Sequence, residues 1–348
     1  MSTKRWMPLA LVAAAAALAA GVAAAQRDAI STVRMAVVTD IGGLNDRSFN
    51  FLANRGRLRA QRELRGLRTR VYVTNTASER LPNLLAAARQ GNRLIFATGF
   101  LMFDSVGKAA RAFPNVQFAG IDIPVEAVPE NSGANLRNVR GIVFKEQEAG
   151  YLVGYIAGLV LRQTPGEDIA SAVGANQVPA IVRFIAGYYA GVHRAFPRAT
   201  VFHNYAQDPT FNDQAKCKET ALNQIQRGSR IIFQVAGGCG LGALTAAREN
   251  NRWGIGVDAD QYYLGPHMLT SATKTVDVAV FLTTRAYRRN PARFRGGFDV
   301  TFTVKNGGVG YGRVSRRIRN RAEIIRKVER IKRQIARGRI RPPTTIPG

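Results

Sequence analysis

The sequence predicts an α/β protein of two lobes, each a parallel β-sheet covered by helices on both faces, with a ligand cleft between them. Short apolar, β-branched runs alternate with helical stretches from Val33 to Asp258. The alternation breaks near Gly141 to Glu148 and then restarts. Several runs end on an isolated acid or a glycine turn. Continuous apolar strands separated by helices are the pattern of a parallel sheet buried on both faces. At 348 residues the chain is also too long for one core and suits two domains.

In chain order, Lys4 and Arg5 precede an apolar, alanine-rich run from Pro8 to Ala25, and Ala23-Ala24-Ala25 supplies the small residues of a signal-peptidase site. A signal peptide is expected over residues 1–25, cleaved before Gln26 or Arg27, leaving an exported and soluble chain. A membrane anchor is the alternative for a run of this length, but the cleavage pattern and the weak membrane preference of alanine speak against it. No cysteine stands at the junction, so no lipid anchor is expected there.

Lobe one is expected over 26–144. Met35 to Thr39 is its first strand, Asn50 to Leu67 a helix, Val71 to Thr74 a strand, Leu81 to Gln90 a helix and Arg93 to Ala97 a strand. Val106 to Phe113 is helical, and Val116 to Ile121 is a strand ending on Asp122. Lobe two is expected over 145–261. It opens with a helix from Gln147 to Arg162, whose Gly150, Gly154 and Gly158 suggest close packing on a sheet. Asp168 to Val173, Thr200 to Asn204, Arg230 to Ala236 and Trp253 to Val257 are its strands, with helices at Val178 to Phe196 and Asn212 to Arg227. Segments near 262–295 and 298–318 are expected to complete lobes one and two respectively. Phe298 to Val304 alternates and meets Gly307-Gly308, a hairpin signal. Residues 319–348 read as a basic helix and tail: Asn320 and Glu323 have capping-box spacing, and Ile324, Val328, Ile331 and Ile335 form one stripe expected to dock on a lobe.

The net charge of +27 raises the possibility of a polyanion partner. Only nine of the 50 basic residues are lysine, however, and the chain is alanine-rich. That pairing fits a compositional bias spread over a solvated surface, and no specific nucleic-acid partner is expected. The three histidines have no metal-ligand spacing, so no metal site is expected. Cys217 and Cys239 are the two cysteines, and export favours a bridge between them. In a unit of this kind a helix start and the carboxyl end of the following strand lie at one edge, where the two can meet.

Ligands of parallel sheets bind outside the carboxyl ends of the strands. Lobe one offers Asp40, a loop carrying Asn45, Asp46, Phe49 and Asn50, then Phe100 and Asp122. Lobe two offers Phe211, the loop Gly237-Gly238-Cys239-Gly240, Asp258 and, just beyond, Lys274. These are carboxylates, amides, aromatics and glycine turns, with no nucleophile paired to a base. They suit binding of a polar ring compound bearing hydroxyls rather than catalysis. Gly238 to Ala243 also fits G-x-G-x-x-A, with Asp258 20 residues on, the spacing of a dinucleotide fingerprint. Its place late in an exported chain, and a bridging cysteine in the turn, argue against a nicotinamide cofactor; no cofactor is expected.

At these loops the sequence resembles the basic membrane protein family of ABC-transporter substrate-binding proteins, which includes purine nucleoside receptors. The matching segments are GGLNDRSFN (42–50), FATGF (96–100), FAGID (118–122), FQVAGGCGLGA (233–243), GIGVDADQ (254–261) and TSATK (270–274). Together they run from residue 42 to residue 274 of the chain. The resemblance implies a periplasmic-binding-protein fold of type I, two Rossmann-like lobes, and delivery of a nucleoside to a permease. By position it implies that Asp40 bonds the base and Phe49 stacks on it. Asp122, Asp258 and Lys274 would hold the ribose hydroxyls, and Gly238 would give close backbone approach. The second stacking aromatic is either Phe211 or Phe233. Many members carry a lipid-modified cysteine, and this sequence departs from that pattern. A receptor for a sugar or autoinducer is the alternative within the fold, and a surface polyanion binder is a third reading resting on charge alone.

Overall fold

A computed structural model describes residues 32–129 and 136–347; the expected signal peptide lies outside the described residues. The first unit runs β1 (Val33–Thr39), α1 (Phe49–Glu63), β2 (Leu67–Tyr72), α2 (Arg80–Arg89), β3 (Leu94–Thr98), α3 (Phe103–Ala112), β4 (Gln117–Ile121) and β5 (Val139–Phe144). The second runs α4 (Glu146–Gln163), β6 (Ile169–Gly174), α5 (Pro179–Ala195), β7 (Thr200–Tyr205), α6 (Gln214–Gln226), β8 (Ile231–Val235), α7 (Gly240–Glu249), β9 (Trp253–Asp258) and β10 (Met268–Lys274). Then follow α8 (Val276–Arg289), β11 (Phe298–Phe302), β12 (Val309–Tyr311) and α9 (Arg321–Ala336).

Two six-stranded sheets result, ordered β11-β5-β4-β3-β1-β2 and β12-β10-β9-β8-β6-β7. The second order repeats the first, so β4 corresponds to β9 and β5 to β10. All pairings are parallel except β12 on β10. Strands β3 and β8 are buried at every position, as central strands covered on both faces must be. The expected two-lobed α/β class is therefore the observed one.

The C-terminal third differs from expectation in its strand assignments. The crossing region near Gly141 contains β5, a full strand of the first sheet. Strand β10, expected within the part completing lobe one, pairs with β9 in the second sheet; of that part, α8 does return to pack on α1. Strand β11, expected to complete lobe two, pairs with β5 in the first sheet. Gly307-Gly308 is accordingly not the tip of a hairpin, because β11 and β12 lie in different sheets. Alternating burial marks a strand but carries no information about which sheet it joins. The chain crosses between lobes after β5, after β10 and after β11. These crossings bond to one another: Lys145 N donates to Phe302 O, Thr275 N to Gly308 O, and Val304 N to the Glu148 carboxylate.

Two local expectations are also corrected. Gly150, Gly154 and Gly158 face α5 rather than a sheet; a Cβ on Gly158 would sit 2.6 Å from Val192 O. Asn320 is left-handed (φ 53°) and makes no side-chain cap, and Glu323 pairs with Lys327 at 2.7 Å instead of closing a capping box. The apolar stripe of α9 is buried, and the helix packs on α4.

Candidate ligand-binding site

The site is built from strand ends. Asp40 follows β1, Asp122 follows β4, Asp258 ends β9 and Lys274 ends β10. Asp122 and Asp258 occupy corresponding places in the two lobes, and both are left-handed, with φ of 63° and 60°. A non-glycine residue in that region carries strain, and aspartate tolerates it better than most residues. Together with Phe49, Asn50, Asp46, Phe100, Phe211 and Phe184, these residues line one cavity between the lobes, of about 760 Å³ counting its open mouth.

Two loops with the same local chemistry carry the aromatics. In Asp46-Arg47-Ser48-Phe49-Asn50 the Asp46 carboxylate accepts from the backbone N–H of Ser48, Asn50 and Phe51. In Asp208-Pro209-Thr210-Phe211-Asn212 the Asp208 carboxylate accepts from the N–H of Thr210, Asn212 and Asp213. Each acid binds the residues two, four and five positions on, which fixes the phenylalanine between them at the cavity wall. The repeated D-x-(S/T)-F-N pattern is the sequence signal that selects Phe211 over Phe233. Phe233 is fully buried against Phe184 and Tyr188, with ring centroids 6.2 Å and 5.0 Å apart, and does not line the cavity.

Asn45 and Gly238 also stand apart from the cavity. Asn45 is exposed, because the turn aims Asp46 inward and its predecessor outward. A Cβ on Gly238 would meet Asn212 Oδ1 at 2.6 Å, so its lack of a side chain serves loop-to-loop contact; the neighbouring Gly237 lines the cavity.

The polar groups divide into satisfied and unsatisfied ones. Asp40 Oδ1 accepts from Ile41 N at 2.9 Å and Arg80 Nε at 2.7 Å. Lys274 Nζ donates to Asp122 Oδ2 at 2.6 Å and Glu146 Oε1 at 3.0 Å, while Glu146 takes Arg183 Nε at 2.6 Å. Ser48 Oγ donates to Asp258 Oδ2 at 2.6 Å across the cleft. Asp122 Oδ1 and Asn50 Oδ1 are buried and have no hydrogen-bond partner. Buried acceptors of that kind cost free energy until a donor reaches them. Arg80, Glu146, Arg183, Ser48 and Phe184 were not among the sequence candidates. Ser48 lies inside a candidate loop and Glu146 stands two residues past the end of β5, while Arg80, Arg183 and Phe184 sit on helices, where nothing in the local pattern marks them.

Burial pushes the Asp258 carboxyl up to about 6, against the pull of Lys274 and Ser48. It pushes Asp122 in the same direction, outweighing the contact with Lys274. Burial opposes the charge on Lys274, but Asp122, Glu146 and Asp258 more than compensate and hold it protonated. The cleft is thus locally acidic inside a basic chain. Its apolar walls include Val178, Ile181 and Phe184. Among the described residues no cluster of His, Cys, Asp or Glu could hold a metal ion. Cys217 and Cys239 form the expected disulfide, with Cα atoms 5.5 Å apart, tying the start of α6 to the turn that follows β8.

The chain is 32% identical over 301 residues to the ABC transporter nucleoside-binding protein BmpA of Lactococcus lactis subsp. cremoris, covering 80% of this chain and 81% of that one. It is 31% identical to the CD4+ T-cell-stimulating antigen of Listeria monocytogenes, covering 89% and 87%. An ABC-transporter solute-binding protein from Aeropyrum pernix K1 superposes with a TM-score of 0.77 at 28% identity, covering 89% of this chain and 94% of that one. Residues 33–344 match the family model for PnrA-like ABC transporter substrate-binding proteins. With strand-end carboxylates and a cleft between two parallel-sheet lobes, the chain belongs to the Bmp family of ABC-transporter substrate-binding proteins.

Proposed function

We propose that this substrate-binding protein is an exported nucleoside receptor, with a purine nucleoside as ligand, that hands its cargo to the permease of its transporter. The observation that carries the reading is the pair of unpartnered buried acceptors, Asp122 Oδ1 and Asn50 Oδ1, at a cavity that also holds Phe49 and Phe211. A nucleoside supplies what these groups lack: a flat base for the rings, N–H donors for the amide end, and ribose hydroxyls for Asp122 and Asp258. In this reading Asp40 bonds the base edge through Oδ2, since Oδ1 already accepts from Arg80 and Ile41. Lys274 holds the sugar through its remaining donor. The description of the Lactococcus relative as nucleoside-binding supports the same ligand class. An acidic, desolvated cleft also disfavours phosphate, so nucleotides and nucleic acid are poor ligands in spite of the +27 charge. None of these groups is asked to do chemistry; the protein binds and releases.

Calorimetry with inosine, adenosine, guanosine and their monophosphates at two salt concentrations tests this. Nucleosides are expected to bind with little salt dependence, and monophosphates far more weakly. Asp122→Ala or Asp258→Ala should lose about 1.5–3 kcal/mol, the range for hydrogen bonds to charged groups. That is roughly 10- to 150-fold in affinity. Equal binding of nucleosides and monophosphates, or steep salt dependence of the polyelectrolyte kind, would overturn the assignment.

A further inference from the structure

A second concavity lies outside the ligand cleft, with walls from both lobes. Asn45 and Arg47, from the loop before α1, form one side; Leu241, Leu244 and Arg248 of α7, with Leu264, form the other. It measures about 840 Å³ counting its open mouth, enough for several side chains of a loop. Arg47 and Arg248 are exposed and have no carboxylate partner among the described residues, as is common on the surface of this basic chain. Beside them Tyr263 is 53% exposed, the largest value among the big apolar side chains of the described residues, with the Arg47 guanidinium 5.8 Å from its ring centre. At the base of the groove His267 is buried with neither ring nitrogen bonded. An exposed tyrosine beside arginines, around an apolar floor, is the composition of interface hot spots.

We infer that this groove is the docking surface for an acidic extracytoplasmic loop of the transporter's permease, and that it is assembled only when the lobes close. The two walls are joined by contacts that exist across the cleft: Gln261 Nε2 donates to Arg47 O at 3.4 Å, and Ser48 Oγ to Asp258. Opening the lobes carries Asn45 and Arg47 away from α7 and breaks the groove in two. A permease loop that needs both walls binds the closed receptor better than the open one, and by linkage it favours closure by the same factor. Carboxylates on that loop match the two free guanidiniums, and an apolar side chain matches the leucine floor. The inference rests on membership in a transporter receptor family and not on which ligand fills the cleft.

The test uses cells whose only copy of the receptor is a variant. Arg248→Glu and Tyr263→Ala lie outside the ligand cavity, so purified variants should bind nucleoside as the wild type does. Uptake of labelled nucleoside should fall roughly tenfold, as for loss of one hot-spot side chain, while Arg248→Lys keeps most of it. Wild-type uptake in both variants, with receptor levels equal, overturns the docking surface. A second measurement does not depend on the ligand: Tyr263→p-benzoylphenylalanine is photo-crosslinked in cells carrying an epitope-tagged permease subunit. A crosslink to that subunit supports the surface even if calorimetry finds no nucleoside binding, which would overturn only the ligand assignment. No crosslink from Tyr263, with a crosslink from the opposite flank at Val73→p-benzoylphenylalanine, overturns the surface.

Discussion

Lys274 Nζ stands 2.6 Å from Asp122 Oδ2, and the two residues belong to different lobes, one ending β10 and the other following β4. An ammonium only 1% exposed persists there because Asp122 and Glu146 both contact it. Removing one partner of a buried ion pair costs more than the pair contributes, since the remaining charges lose their compensation. Lys274→Met is therefore expected to lower stability by about 3–5 kcal/mol, read as a reduced urea midpoint. The double variant Lys274→Met/Asp122→Asn should lose less than the sum of the two single changes, because the residues share one network. Additive losses would show that the contact carries no coupling.

The disulfide should act on the second lobe. Cys217 and Cys239 are 22 residues apart and fully buried, so their replacement by alanine adds no clash. Closing a loop of that length stabilises by about 3 kcal/mol in the chain-entropy model. The Cys217→Ala/Cys239→Ala protein is expected to unfold at lower urea by about that amount, and reductant should shift the wild type similarly while leaving the variant unchanged. A variant as stable as the oxidised wild type would mean that native-state packing alone holds the Gly237 turn.

Much of this molecule was legible in its sequence, for definable reasons. Strands such as Leu94–Thr98 and Ile231–Val235 are buried throughout, so their apolar runs stand out. Asp40, Asp122, Asp258 and Lys274 stand at strand ends, where topology alone gathers them. What was not legible depends on partners remote in sequence. Strands β10 and β11 exchange lobes because of pairings that their own residues do not encode. Arg80, Glu146 and Arg183 reach the site from helices, through side-chain contacts spanning 40, 128 and 37 residues. Phe233 was a candidate because it is near the glycine turn in sequence, but it sits in mid-strand, where its ring packs on Phe184 and Tyr188 in the core.

The contact between α4 and α5 yields a sharper test of packing. Gly154 lies so close to the Tyr188 carbonyl that a Cβ would overlap it, and Gly191 does the same toward Tyr151 from the other helix. Backbone carbonyls cannot yield as side-chain ends can. Gly154→Ala is expected to cost at least about 1–3 kcal/mol, the usual range for overpacking, despite the better helix propensity of alanine. Gly310→Ala is the control: its Cβ would find only Thr273 Oγ1, at 3.5 Å, and the residue lies in a strand. Thermal melts of the two variants should separate clearly. Equal melting temperatures would mean that α4 and α5 move apart at little cost.

Stability and ligand affinity respond to pH in opposite senses through two buried acids. Asp258 is pushed up to about 6, first by burial and further by Asp46 and Glu146, with Lys274 and Ser48 pulling the other way. Asp122 is raised too, by burial and Glu146, against Lys274 and Arg183. In the unfolded chain both return to an ordinary carboxyl value of about 4. The folded protein therefore binds protons before the unfolded chain does. The contribution of these two acids to stability is fully present below about pH 4 and is lost as pH rises through about 6. Ligand hydroxyls, in contrast, need ionised acceptors, which bind them more strongly than neutral acids. Acidifying from about pH 7.5 to about pH 5 should thus weaken nucleoside binding, while these two groups make the ligand-free protein no less stable. Binding near pH 6 should also release protons, visible as a dependence of the calorimetric heat on the ionisation enthalpy of the buffer. Asp258→Asn removes one of the two titrations, so its weaker binding should vary less with pH than that of the wild type. Affinity that stays flat across this range in the wild type would exclude Asp122 and Asp258 as the acceptors of the ligand.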